Sequence, residues 1–145
     1  MTSLSPSYWP IERLPGLKRL DVEHLKAVGI ATTEAMLHVA AGQDGKRALA
    51  QQLHLKQERI NRWVAMADLA RVPAVGCEYC GLLLHAGTIS TQQLASAAAP
   101  QLHRHIQRLH VATLRNARAC PTVSDVGLWI AQASRIDRSG QQQRS

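Results

Sequence analysis

The sequence contains no phenylalanine, only three tryptophans and two tyrosines, so a core must be filled by Leu, Ala, Val and Ile. Hydrophobic residues make up 46% of the chain, which is enough to supply one. No apolar run approaches the roughly 18 residues of a membrane-spanning helix, so no membrane role is expected. The N-terminus, Met1-Thr2-Ser3-Leu4-Ser5-Pro6, lacks a basic stretch followed by an apolar one. It is not a secretory signal, and the cytoplasm is the expected compartment. Three cysteines are an odd count, which argues against a disulfide framework. There is no phosphate-binding loop, dinucleotide fingerprint, paired carboxylates or Ser-His-Asp order. The expectation is a non-catalytic protein without cofactor or metal.

What the sequence does contain is one pattern written twice. Shifting residues 13–41 by 58 positions lays them on 71–99 without a gap. Arg13 meets Arg71, Pro15 meets Pro73, Leu25 meets Leu83, Gly29 meets Gly87 and Thr33 meets Thr91. After a longer connection, Trp63-Val64-Ala65 returns as Trp129-Ile130-Ala131, now 66 residues on. Such self-similarity points to a repeated supersecondary unit whose copies share one core. Trp63 and Trp129 are the expected core anchors, one per copy.

The local patterns are helical throughout, and the fold class is all-α. Asp21–Val28 reads as a helix stopped by Gly29, and Thr33–Ala41 as one capped by Thr32 or Thr33. Asp44–Leu53 and Lys56–Ala70 follow. In the latter, Ile60, Trp63, Val64 and Ala67 recur at helical spacing. The second copy gives Cys77–Ala86 ending at Gly87, then Thr91–Ala98. A further helix is entered through Pro100, with Leu102, Ile106 and Leu109 on one stripe. Thr122-Val123-Ser124-Asp125 resembles a capping box that opens the last helix, through Val126, Trp129, Ile130 and Ala133. The predicted organisation is an N-terminal lead over 1–10, one repeat over 11–71, a second over 72–137, and a disordered polar tail over 138–145 with nothing to bury.

Residues 69–94, Leu-Ala-Arg-Val-Pro-Ala-Val-Gly-Cys-Glu-Tyr-Cys-Gly and onward to Leu94, resemble the helix-hairpin-helix motif. In that motif a Gly-hydrophobic-Gly turn joins two helices. The corresponding turns are Gly16-Leu17-Lys18 and Ala74-Val75-Gly76. The stretches Leu49-Ala50, Trp63 to Arg71, Leu102-His103 and Val126 to Ala133 resemble an uncharacterised bacterial family of unknown function. That resemblance covers about residues 10–135 and implies two tandem helix-hairpin-helix repeats packed with pseudo-two-fold symmetry. In related hairpins, glycines let the backbone approach a phosphate, and amides at the start of the second helix point at it. Each copy here keeps one of the two glycines, because Lys18 and Ala74 stand at the other two positions. The hairpins are therefore either phosphate sites or folding units and protein contacts.

The charge pattern bears on the same choice. The formal net charge is +7, and there is no acid from Ala99 to Val123. Arg104, Arg108 and Arg115 stand at i, i+4 and i+11, with His103, His110 and Arg118 nearby. A basic face of this kind suits phosphate backbones, although it equally describes a solvated helix surface. The expected nucleic-acid contacts are Gly16, Leu17, Lys18, Arg19, Ala74, Val75, Gly76, Arg104, Arg108 and Arg115. The expected function is weak, sequence-independent nucleic-acid binding. The alternative is a protein-interaction or scaffold domain, which predicts an exposed apolar patch around Tyr8, Trp9 and Tyr79. Cys77-x-x-Cys80 places Cys77 at a helix start, where a thiolate is stabilised. The strand context of a redox motif is missing, and a zinc site needs two more ligands. Reduced, packed thiols are expected.

Overall fold

The computed structural model describes the backbone over residues 4–113 and 120–143, and side chains over 4–109 and 120–136. Among the described residues the chain is helical, with no named strand and one isolated bridge between Pro10 and Thr32. After a 3₁₀ turn at Ile11–Arg13 come α1 (Arg19–Ala27), α2 (Thr33–Val39), α3 (Gly42–Leu53) and α4 (Gln57–Leu69). Then follow α5 (Gly76–His85), α6 (Thr91–Ala95), α7 (Ala99–Thr113) and α8 (Val123–Gln143).

The repeated residues fold into repeated local devices. Gly29 and Gly87 end α1 and α5 with φ of 87° and 93°, a left-handed turn that glycine makes without a Cβ penalty. In each, the next amide reaches back to the helix: Ile30 N–H to the Leu25 carbonyl at 2.9 Å, and Thr88 N–H to the Leu83 carbonyl at 3.0 Å. Thr32 and Ser90, again 58 apart, cap α2 and α6 by accepting from the amides of Ala35 and Gln93 at 3.1 and 3.0 Å. The box at the start of α8 is reciprocal. Thr122 N–H donates to Asp125 at 2.9 Å, and Asp125 N–H to the Thr122 hydroxyl at 3.1 Å.

Packing repeats as well. Helix α4 packs on α2 and α3, α8 packs on α6 and α7, and α4 against α5 joins the two halves. Trp63 and Trp129 are both buried, within one hydrophobic cluster that includes Ile60, Ala67, Val126 and Ala133. The lead is pinned by Trp9, whose amide donates to the Thr33 hydroxyl (2.9 Å) and whose indole N–H donates to the Ala70 carbonyl (2.8 Å). Tyr8, by contrast, is exposed.

Two stretches differ from the sequence reading. Helix α6 stops at Ala95, short of Ala98. Pro100 lacks an amide hydrogen and fits only a helix's first turn, so the chain bends before α7 begins at Ala99. The backbone of α8 continues through 138–143, which the sequence suggested as a tail. A helix already nucleated extends one hydrogen bond per residue, so a polar stretch can prolong it without burying anything.

Candidate nucleic-acid interface

The first turn expected to be a hairpin, Gly16-Leu17-Lys18, connects the 3₁₀ turn to α1. Leu14 is buried and Leu17 half-buried, which anchors the turn, while Gly16, Lys18 and Arg19 face solvent. The Lys18 amide, which would point at a phosphate, instead donates to the Asp21 carboxylate at 3.0 Å. Asp21 is itself buried and also accepts from the Arg59 guanidinium at 2.9 Å. A carboxylate of the chain thus stands where the start of α1 favours an anion. Arg19 is almost wholly exposed and pairs with Glu23 at 3.4 Å.

The second hairpin is more completely occupied. The amides of Val75 and Gly76 both donate to the Val72 carbonyl at 2.9 Å. The Ala74 amide donates to the Gln132 side chain of α8 at 2.8 Å. Val75 and Gly76 are buried, and Gly76 lies beneath the Trp9 ring. The sequence grouped Ala74, Val75 and Gly76 with the exposed cations as phosphate contacts. The structure buries Val75 and Gly76 and leaves Ala74 half-buried, with all three N–H groups taken.

Helix α7 carries two of the arginines of the expected basic face. Leu102 and Ile106 turn inward and are buried, while Arg104 and Arg108 are exposed one turn apart. Neither forms an ion pair among the described residues, nor does Lys18. Five acids elsewhere, Glu12, Asp21, Glu23, Asp44 and Asp68, are each matched to a base. His103 is turned away from the arginines, its ring nitrogen 3.0 Å from the Pro121 carbonyl. Arg115 and Arg118 lie outside the described residues, as does the side chain of His110.

One suggestion of the sequence, a thiolate stabilised at Cys77, is corrected. The thiol of Cys77 is not activated at the start of α5: burial pushes its pKa up, against a smaller lowering by nearby Arg13. Burial, with Cys77 adding to it, raises Cys80 to about 12. All three cysteines are free, and among the described residues no three His, Cys, Asp or Glu side chains converge as metal ligands would. The aromatic patch of the scaffold reading is not assembled either. Trp9 covers Gly76, and Tyr79 lies against Trp129 with ring centroids 5.0 Å apart.

Sequence reasoning missed a basic group on α4. Arg59 lies over the Trp63 ring, 5.4 Å from its centroid, and exposed Arg62 stands a turn further on. The spacing Arg59-x-x-Arg62-Trp63 was the available signal. It falls inside the stretch whose apolar periodicity marked a core helix, and the core reading took precedence.

A small all-helical domain, with several exposed cations that form no ion pair among the described residues and no metal-ligand cluster among them, is what fold and site define. The chain belongs to the family described as domain of unknown function DUF4332, whose model matches residues 15–136. No curated protein and no solved structure matches it. No helix among the described residues is long and apolar enough to cross a membrane.

Proposed function

We propose that this protein is a non-catalytic module that grips nucleic-acid backbones weakly and without sequence preference, using side-chain cations rather than hairpin amides. The observation that carries the reading is the set Lys18, Arg104 and Arg108: exposed, free of ion pairs among the described residues, and belonging to a chain of net charge +7. Such groups neutralise phosphates and release counterions without reading bases. We further read the halves as tandem helix-hairpin-helix repeats related by a pseudo-two-fold axis. The 58-residue offset of their caps and glycines, and the matching pairs α2–α4 with α6–α8 and α3–α4 with α7–α8, support this. Within those repeats the hairpins serve folding.

Fluorescence anisotropy with labelled duplex DNA, single-stranded DNA and RNA at low salt tests the proposal. Affinity should fall as salt rises, with a log–log slope of about 0.9 per duplex phosphate neutralised. Lys18→Glu combined with Arg108→Glu should weaken binding to all three probes alike. No binding to any of them at micromolar protein would overturn the reading.

One observation favours the scaffold alternative. The donors at both hairpins are consumed by Asp21 and Gln132, leaving the turns as folding units. Under that reading a partner protein, recovered from native lysate, survives nuclease treatment.

A further inference from the structure

A groove of about 630 Å³ opens between the first hairpin, α4 and α5. Its size is that of small-molecule sites, roughly 300–1,000 Å³, which combine apolar walls with a few convergent polar groups. Pro15, Trp63, Met66 and Leu84 supply the apolar surface, and Arg59, Arg62 and His85 the polar groups. No acid lines it. The end nearest the hairpin is closed by a tight approach: a Cβ on Gly81 of α5 would lie 3.2 Å from the Pro15 ring.

The cations have distinct states. Arg59 is held by two partners, the Asp21 carboxylate at 2.9 Å and the Trp63 ring beneath it at 5.4 Å. Its charge is balanced and its position fixed, yet its side chain remains 41% exposed. It therefore offers the groove a flat, pre-positioned guanidinium face of the kind on which nucleobases stack. Arg62 is exposed and forms no ion pair among the described residues, so its fork is available for a phosphate. His85, exposed on α5, lines the same groove.

We propose that this groove binds a nucleoside monophosphate unit, the base stacked on the Arg59–Trp63 pair and the phosphate held by Arg62 and His85. The proposal does not rest on the α7 face and goes beyond non-specific backbone binding. A bare anion would leave the apolar walls unused, and a neutral base would leave Arg62 unmatched. The unit can be a free nucleotide or one residue of a strand.

Isothermal titration of the full chain with AMP, adenosine and inorganic phosphate tests it. AMP should bind at least 10-fold tighter than either fragment. Arg62→Ala should lower AMP affinity about 10-fold and His85→Ala several-fold, with helicity by circular dichroism unchanged, since both side chains are at the surface. Equal affinity for AMP and phosphate, or AMP binding indifferent to both substitutions, would overturn the site. Lys18→Glu with Arg108→Glu should leave AMP binding intact while weakening oligonucleotide binding, which separates this site from the proposed backbone interface. Displacement of AMP by a 5′-phosphorylated tetranucleotide of equal or greater affinity assigns the groove to a strand, and failure to displace assigns it to the free nucleotide.

Discussion

The indole of Trp9 lies so close over Gly76 that a Cβ on that glycine would stand 3.2 Å from the ring. Gly76 also has φ of 52°, a left-handed conformation at the first residue of α5. Gly76→Ala should therefore meet both penalties, backbone strain of about 1–2 kcal/mol and displacement of the ring. The expected result is a lower urea midpoint with an unchanged slope. Gly87→Ala carries φ strain but no contact within 4 Å, so it should cost less.

Trp63 and Trp129 are 4% and 1% exposed in one continuous core. Replacing either with Ala should cost about 3–5 kcal/mol. In a domain whose total stability is of order 5–15 kcal/mol, either change brings the chain near its unfolding threshold. Thermal melts followed at 222 nm measure this. A loss under about 1 kcal/mol at either position would mean that the ring is not an anchor.

Asp21→Asn keeps the shape at the start of α1 but removes its charge. Stability should fall by about 1–2 kcal/mol, less than the 3–5 of a wholly buried pair because Arg59 is 41% exposed. Nucleic-acid affinity should move the other way and rise, since a negative charge beside Lys18 is gone. Denaturation and anisotropy on the same variant check the opposed signs. Unchanged affinity would mean that no phosphate comes near α1.

The thiol of Cys80 gives a pH signature. Its pKa is raised from 9.0 to about 12, first by burial and then by Cys77. The folded protein keeps this proton where the unfolded chain loses it. The stabilisation is complete below pH 9 and is lost as pH climbs toward 12, at up to about 1.4 kcal/mol per unit. Urea melts of the wild type and Cys80→Ala at pH 8 and pH 10 isolate the effect, with the wild type falling further. Maleimide labelling of the native protein should be slow at Cys80 compared with exposed thiols.

Much of the fold was legible because its signals are local. Gly29, Gly87, Thr32 and the Thr122–Asp125 box fix helix ends through contacts within a few residues, and the periodicity of Ile60, Trp63 and Ala67 is local too. The site was less legible because part of what occupies and covers these turns comes from afar. Gln132 reaches Ala74 across 58 residues, and Trp9 reaches Ala70 across 61. Nothing in Ala74-Val75-Gly76 announces that the Ala74 donor is spoken for, whereas the amides of Val75 and Gly76 return to Val72 close by. Lys18 shows the middle case. Asp21 was visible three residues on, but its burial depends on Arg59, 38 residues away.

The partners of Thr33 and Thr91 have a consequence for how the repeat can be divided. Thr33 is fastened by the backbone of Trp9 in the lead, whereas Thr91 is fastened by Asp68, which accepts its amide at 2.8 Å and pairs with Arg71 at 2.7 Å. The last turn of α4 therefore belongs to the start of α6 as much as to its own helix. Severing the chain after Asp68 would leave the start of α6 without the carboxylate that holds Thr91.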